Sequence, residues 1–404
     1  MNPIKKFFDK IEPTFSEGGK LAALHSLYDG FHTFLLTPAT TGKRGVHIHD
    51  SIDSKRTMIV VVLALVPALL FGMYNVGYQH YLAIGSGEPA FWASFWFGLL
   101  AVLPTMVVSY VVGLGIEFAV AQVKHEEIAE GFLVTGFLIP MIVPVETPLW
   151  MVAIATAFAV IFAKEVFGGT GYNVFNVALV TRAFLFFAYP AAMSGAEVFV
   201  RTGDTFGLGK GTVVDGFSGA TPLGQAMAQG TDALSIVSPT GTPYTTADFF
   251  WGLIPGSVGE TSVAAILIGA VILLCTGIAS WKVMLSIFGG GFLTALMFNG
   301  LGTTAVMDIP ALDHLFLGGF AFGAVFMATD PVTSARTEAG KWIYGLLIGF
   351  FAITIRVLNP GYPEGMMLAI LLMNTFAPLI DYFVVEHNIN RRKKRAVSAV
   401  KAVR

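Results

Sequence analysis

The sequence predicts an all-α integral membrane protein of about ten transmembrane helices, arranged as two five-helix inverted repeats with broken helices. Three observations carry that reading: the composition, a series of ten apolar stretches, and basic residues that alternate between their connections. Of 404 residues, 55% are hydrophobic and only 12% are charged, with a strongly positive mean hydropathy, whereas a soluble domain carries about 25% charged residues. The net charge of −2 gives no electrostatic reason to expect nucleic acid as a partner.

Residues 1–56, including "KKFFDKIEPTFSEGGK", are polar, with Pro, Gly and scattered aromatics. They read as a cytoplasmic extension with one or two short helices that dock on another protein. The first apolar run begins near Thr57, too late for an ordinary cleaved signal peptide, and it ends without a small-residue cleavage site. Stretches long enough, or nearly so, to cross about 30 Å of hydrocarbon lie at 57–75, 91–120, 131–144, 149–164, 175–192, 261–280, 282–299, 311–328, 341–358 and 366–385. The third and fourth are short and flank the proline-rich "IPMIVPVETP", which predicts half-helices or re-entrant elements. The chain thus divides into the extension, a first repeat (57–192), a long polar loop (193–260), a second repeat (261–385) and a basic tail (386–404).

Basic residues test the count, because cytoplasmic connections concentrate Lys and Arg. Lys43, Arg44, Lys55 and Arg56 precede the first span, and "RRKKR" at 391–395 follows the last. The even-numbered connections carry Lys124, Lys164, Lys282, Arg336 and Lys341. The odd-numbered ones at 76–90, 144–148, 300–310 and 359–365 carry none, and the long loop holds only Arg201 and Lys210. Both termini are therefore expected in the cytoplasm and the long loop outside it. Each half also contains one polar interruption, "FGGTGYNVFN" at 167–176 and "MATDPVTSARTEAG" at 327–340. Five-plus-five repeats with broken helices place such interruptions where backbone lines a site, although Gly-rich breaks also occur where helices simply pack closely.

Several residues stand out for their chemistry. In "DGFSGATPLGQ" (215–225), two small residues precede Thr221, so the backbone turns sharply and leaves the hydroxyl uncrowded, while Pro222 fixes the backbone that follows. Asp215, six residues upstream, is placed to orient a metal or a donor group. As a bare pattern the run favours an ordinary turn. Asn173 and Asn176, three apart, would share a helix face with amides that both donate and accept, or would cap a helix beginning near Val174. Glu117, Asp330 and Asp381 lie in or near the ends of apolar spans, where a charge costs several kcal/mol and usually serves a function. Arg182 and Arg356 are candidate partners for them, and Glu165 beside Lys164 reads as an interfacial pair. "RAFLFFAYP" clusters Phe184, Phe186, Phe187 and Tyr189, a pattern that by itself indicates helix packing. The single cysteine, Cys275, excludes an internal disulfide and an iron–sulfur cluster held by this chain alone. No glycine-rich nucleotide-binding turn follows a strand.

Taken in order, "KHEEIAEGFLVT", "KEVFGGTGYNVFNVALVTRAFLFFAYP", "DGFSGATPLGQ", "IPGSVGE", "LGGFAFGAVFMATDPV", "NPGYPEGMMLAILLMN" and the basic ending after "VVEHNINRR" resemble the B subunits of bacterial sodium-translocating NADH:quinone oxidoreductases. The resemblance runs from "KKFFDKIEP" to the tail. The related D subunit of the Rnf ferredoxin:NAD complex shares the "SGAT" loop but is shorter and lacks the N-terminal extension.

The resemblance implies an enzyme subunit of the bacterial inner membrane that passes electrons to ubiquinone as Na+ is exported. It implies that the Thr221 oxygen is esterified to the phosphate of FMN by a flavin transferase that uses FAD and works outside the cytoplasm. Asp215, Ser218, Gly219 and Ala220 form the recognition motif. It further implies non-covalent riboflavin, for which Asn173, Asn176 and Asp330 are the matching ligands. Gly113, Phe184 and Phe186 match a quinone site, with the departure that Gly113 is followed by Leu114 where the family can have a second glycine. Glu117 and Asp381 are the expected points on a sodium path. NADH oxidation and iron fall to partner subunits, alongside a second covalent-FMN subunit, small membrane subunits and a cytoplasmic subunit docked on the extension. Two other readings remain open at the level of sequence: an Rnf-type component working between ferredoxin and NAD, and a cofactor-free solute channel or transporter.

Overall fold

The computed structural model describes residues 3–15 and 54–403, apart from 86–88, 125–130, 196, 205, 207–210, 212, 215, 240, 360 and 363, together with residues 28, 32, 36 and 45. In the extension, α1 (Pro3–Phe15) is the one described helix. The first half then runs α2 (Ser54–Ala83), α3 (Phe91–Lys124), α4 (Phe132–Ile142), α5 (Leu149–Ala159) and α6 (Val177–Ala188). The long loop contains α7 (Pro222–Gln229) and α8 (Thr246–Trp251). The second half runs α9 (Val263–Cys275), α10 (Trp281–Asn299), α11 (Ala311–Phe316), α12 (Phe320–Phe322), α13 (Glu338–Leu358) and α14 (Met366–Val403). Among the described residues the only β-bridge is an isolated antiparallel one between Val237 and Pro243.

Helices occupy all ten expected positions: six are long and apolar enough to cross a membrane, three are shorter apolar helices, and the eighth position holds only short pieces. The departures are instructive. The third span is short, as expected, but the fourth continues beyond α5 through a π turn (Val160–Lys164) and a 3-10 turn (Glu165–Phe167) into a full-length helix. The sixth shrinks to α9, capped by Ser262 and ended at Gly277, whose φ of 72° suits glycine. The eighth is broken: α11 stops at Phe316, and Gly318 and Gly319, with φ of 61° and 69°, reset the chain before α12 and the π turn Gly323–Met327.

The two halves share part of one packing plan. As α3 lies against α4 and α5, so α10 lies against α11 and α13, and α5 packs on α6 as α13 packs on α14, but α2 also packs along α3 whereas α9 does not pack along α10. The first helices of the halves, α2 and α9, pack on each other and join them. Lipid supplies no hydrophobic force between helices, so close backbone approach must hold them. The α10–α13 seam shows it: a Cβ at Gly349 would stand 2.4 Å from the Ile287 carbonyl oxygen, and one at Gly290 2.6 Å from that of Leu346.

The connections gather at two ends. The Val214 N–H donates to the Ala83 carbonyl, Glu146 N–H to Val198, and Ala305 N–H to Gly230, which joins connections one, three, five and seven. The even-numbered connections meet elsewhere, around the cavity described below. Parity of this kind is what ten spans require. The long loop is not wholly polar and exposed, as its composition suggested. Its last part re-enters the protein: Gly259 N–H donates to Met141 at 2.8 Å, Ser257 Oγ to Ile142 at 3.3 Å, and Asn75 Nδ2 to Ile254 at 2.9 Å. Ser257, Val258, Glu260 and Thr261 are all buried there. Arg201, one of the loop's two basic residues, is also buried and donates to Glu146 at 3.1 Å, so it is a packing residue and not a topological signal.

Candidate functional site

The two polar interruptions meet. After the π turn, Gly168, Gly169 and Gly171 carry φ of 114°, 91° and 92°, conformations that glycine adopts readily, and the chain reaches Asn176 without forming a helix. Asn176 caps α6, its Oδ1 accepting from Ala178 N–H at 3.1 Å and Leu179 N–H at 3.3 Å. The helix therefore starts at Val177 and not near Val174, and Asn173 and Asn176 do not share a helix face. Asn173 instead braces the loop, accepting from Gly171 N–H at 3.3 Å and donating to the Phe175 carbonyl at 3.0 Å. From the other half, Asp330 follows the π turn at Met327. It accepts from Val332 N–H at 2.9 Å and Thr333 Oγ1 at 3.2 Å.

Asn173, Asn176 and Asp330 all line one cavity of about 110 Å³, walled on one side by α2, α4 and the 164–177 segment and on the other by Leu273–Ala279 and Phe326–Val332. That is smaller than the roughly 300–1,000 Å³ of most small-molecule sites, so a ligand of flavin size would have to part its walls. Its walls are mostly apolar with a few polar groups, one of which, the buried Thr170 Oγ1, has no protein partner. An orphaned hydroxyl facing such a space calls for a ligand that can hydrogen-bond it. Sequence reasoning missed Thr170 and Lys164, which also lines the cavity. The legible signal was a lysine at the end of an apolar span.

The second candidate lies at the other end of α6. Thr221 is the N-cap of α7: its Oγ1 accepts from Gly224 N–H at 3.1 Å, and Pro222 takes the first helical position, where its missing N–H costs nothing. Ser218 is exposed and its Oγ accepts from Ala220 N–H at 3.4 Å, while Gly219 is buried; Asp215 falls outside the described residues. Gln225 pins the turn, donating to Ala220 and Val237 carbonyls at 3.2 and 2.9 Å and accepting from Val237 N–H at 2.9 Å. Thr221 borders a cleft of about 450 Å³ that also receives Arg182, Phe186, Phe199 and Tyr362.

Arg182 organises that cleft. It pairs with Glu260 at the end of the re-entrant loop and with Glu364 before α14, bridging both halves. It also hydrogen-bonds Tyr362, whose phenol is held above its ordinary pKa by burial, with Arg182 pulling the other way. Neither arginine partners Glu117, Asp330 or Asp381, as the sequence had suggested. Arg356 spends its guanidinium on the carbonyls of His314, Leu317 (2.9 Å) and Glu364 (3.5 Å), closing the broken end of α11. Glu117 pairs with the buried Lys164, and Glu165 pairs with Lys124 at 3.5 Å and not with its neighbour Lys164. The π turn explains the exchange, because it rotates Lys164 inward toward α3. Asp381 accepts from Arg336 N–H, Thr337 N–H and Thr337 Oγ1 at 2.7, 3.0 and 2.6 Å, so it holds the start of α13.

The three quinone candidates are not brought together. Gly113 abuts the Phe132 ring, where an added Cβ would come within 1.8 Å. Phe184 stacks on Phe158 at 4.6 Å, and Phe186 meets Tyr362 edge-on at 4.3 Å. Among them only Phe186 lines the Thr221 cleft.

Comparison with known proteins covers nearly the full chain. The model of the NQR2, RnfD, RnfE family matches residues 41–390. The B subunit of the Na(+)-translocating NADH-quinone reductase of Chromohalobacter salexigens is 45% identical over 97% of this chain and 96% of its own length. Its counterparts of the same name in Klebsiella pneumoniae strain 342 and Neisseria meningitidis serogroup B are 45% identical over 97% of this chain and 99% of theirs. The chain belongs to the NQR2, RnfD, RnfE family.

Proposed function

We propose that this chain is the membrane redox subunit of a respiratory sodium pump, with FMN esterified to Thr221, riboflavin in the cavity between the halves, and ubiquinone as electron acceptor. The observation that carries the proposal is the placement of two spaces lined by the candidate residues at the two ends of one helix. Asn176 opens α6 in the first cavity and Phe186 enters the second cleft ten residues later, about 15 Å along the axis.

The residues fit the groups. A phosphoester on Thr221 would sit at the N-terminus of α7, where the helix dipole and free N–H groups favour an anion, and the Gly224 N–H is already aimed at the ester oxygen. Phe186, Phe199 and Tyr362 offer the ring an aromatic wall. In the other cavity, Asp330 and the Asn173 and Asn176 amides stand at the polar edge a flavin would present, and Thr170 supplies a spare hydroxyl. Flavins supply the one- and two-electron chemistry that side chains lack; the chain's own part is to hold them, keep bulk water from them and set their electrostatic surroundings. Gly113, Phe184 and Phe186 remain the candidates for quinone contact. Glu117 and Asp381 remain those for the ion's route, where movement of Na+ past either would displace its present donors. NADH oxidation falls to partner subunits. Orientation in the inner membrane follows the basic residues, with both termini and the Asn173 cavity toward the cytoplasm and Thr221 outside.

An Rnf-type role is the nearest alternative, since the family model spans both groups. Coverage of 96–99% of the sodium-translocating relatives, extension included, favours the sodium-pump role. The test is flavin analysis of the purified complex: the denatured chain should fluoresce on a gel, Thr221→Val should not, and acid extraction of both should release riboflavin. Retained gel fluorescence in the valine chain would defeat the proposal.

A further inference from the structure

Lys164 has no role in the site so far described, yet it occupies an unusual position. It is 4% exposed, lies within a helix long and apolar enough to cross a membrane, and lines the cavity between the halves. The helix changes to a π turn over Val160–Lys164, and Lys164 itself takes φ −125° and ψ −64°, outside helical geometry. Single π turns inside helices recur at functional sites because they re-aim a side chain. Here the turn brings the ammonium onto Glu117 of α3, itself 4% exposed. Glu117 does not line the cavity; it stands behind the lysine. The neighbouring Glu165 is committed to Lys124, and the other charge on the cavity wall, Asp330, is held by Val332 and Thr333.

A buried ion pair is weak evidence for stability, since apolar residues of similar volume usually do as well. One whose lysine lines a cavity while its glutamate does not has a directional field. We propose that Lys164 is the cationic contact of the flavin in this cavity and raises its midpoint potential, and that Glu117 is a positioning residue that holds Lys164 there and moderates its charge. The proposal rests on the assignment of riboflavin to this cavity. When an electron reaches the ring, Lys164 lies beside the added negative charge and stabilises it; no bond is made or broken at the lysine, and its proton stays in place.

The test is a spectroelectrochemical titration of the whole complex carrying Lys164→Gln, Lys164→Arg or Glu117→Gln, with riboflavin measured after acid extraction. Lys164→Gln should lower the midpoint potential of the riboflavin by at least tenfold in the one-electron equilibrium, about 59 mV. Glu117→Gln should raise it, and Lys164→Arg should keep it near wild type. Opposite signs separate this role from a structural one, which moves both variants alike. If Lys164→Gln fails to assemble, the double variant Lys164→Gln/Glu117→Gln leaves no unpaired charge and should still titrate below wild type, because the nearer charge is the lysine's. Riboflavin present with unshifted or same-direction potentials overturns the proposal. Absence of riboflavin from the wild-type chain instead overturns the cavity assignment beneath it.

Discussion

Removing the Arg182 guanidinium should damage the fold more than removing the whole ionic cluster. The side chain is 2% exposed and joins Glu260, 5% exposed, to Glu364, 17% exposed, so Arg182→Met strands one carboxylate in the interior and another at its edge. Breaking a buried pair in this way costs about 3–5 kcal/mol, or roughly two to four decades in the folding equilibrium at 1.36 kcal/mol per decade. Most of it falls on Glu260, which has less access to water. Replacing all three, Arg182→Met with Glu260→Leu and Glu364→Leu, removes every desolvated charge and should recover most of the loss. Arg182→Lys should fall between, because one ammonium does not reproduce a planar fork reaching two carboxylates. Denaturant titration of the detergent-solubilised protein, followed by tryptophan fluorescence, measures the three. A triple variant no more stable than Arg182→Met would refute the reasoning, since it predicts strong non-additivity.

Three further outcomes are expected. Asp330→Ala or Asn176→Ala should release riboflavin during purification, read by acid extraction, and Asn176→Ala should in addition cost about 1 kcal/mol through loss of the α6 cap. Asp381→Ala should lower stability by about 0.5–2 kcal/mol, since it removes the acceptor of three donors at the start of α13, and it should weaken the sodium dependence of quinone reduction. Unchanged sodium activation takes Asp381 off the ion route. With the exposed Cys275 replaced by Ser, a cysteine at the exposed Val213 should react with an impermeant reagent in intact cells; labelling confined to inverted vesicles contradicts the ten-span orientation.

Much of the fold was legible because membrane spans are local: a long apolar run bounded by polar residues declares a helix. As a sequence, "SGATP" reads as a turn; the structure makes Thr221 the N-cap of a helix, a start that a hydroxyl before proline writes in adjacent residues. The convergence of Asn173, Asn176 and Asp330 followed from the matching positions of two interruptions. The partners of Arg182 were not legible. They lie 78 and 182 residues away, and only tertiary packing selects them from the chain's 26 acidic residues. The π turn that exchanges the partners of Lys164 and Glu165 has no sequence signature, and neither does the break of the eighth span at "LGG" when read against the equally glycine-rich but continuous α10. Asp381 resembled an ion ligand because burial and charge were visible and its backbone donors, from a different helix, were not.

The central claim is a flavin tethered to Thr221. Intact mass of the purified chain, followed by peptide mapping across 215–230, tests it most directly. The account predicts a mass increase equal to one FMN phosphoester, carried by the peptide containing Thr221 and absent from the Thr221→Val chain. An unmodified mass for protein made alongside its flavin transferase, or the adduct on another residue, would contradict it.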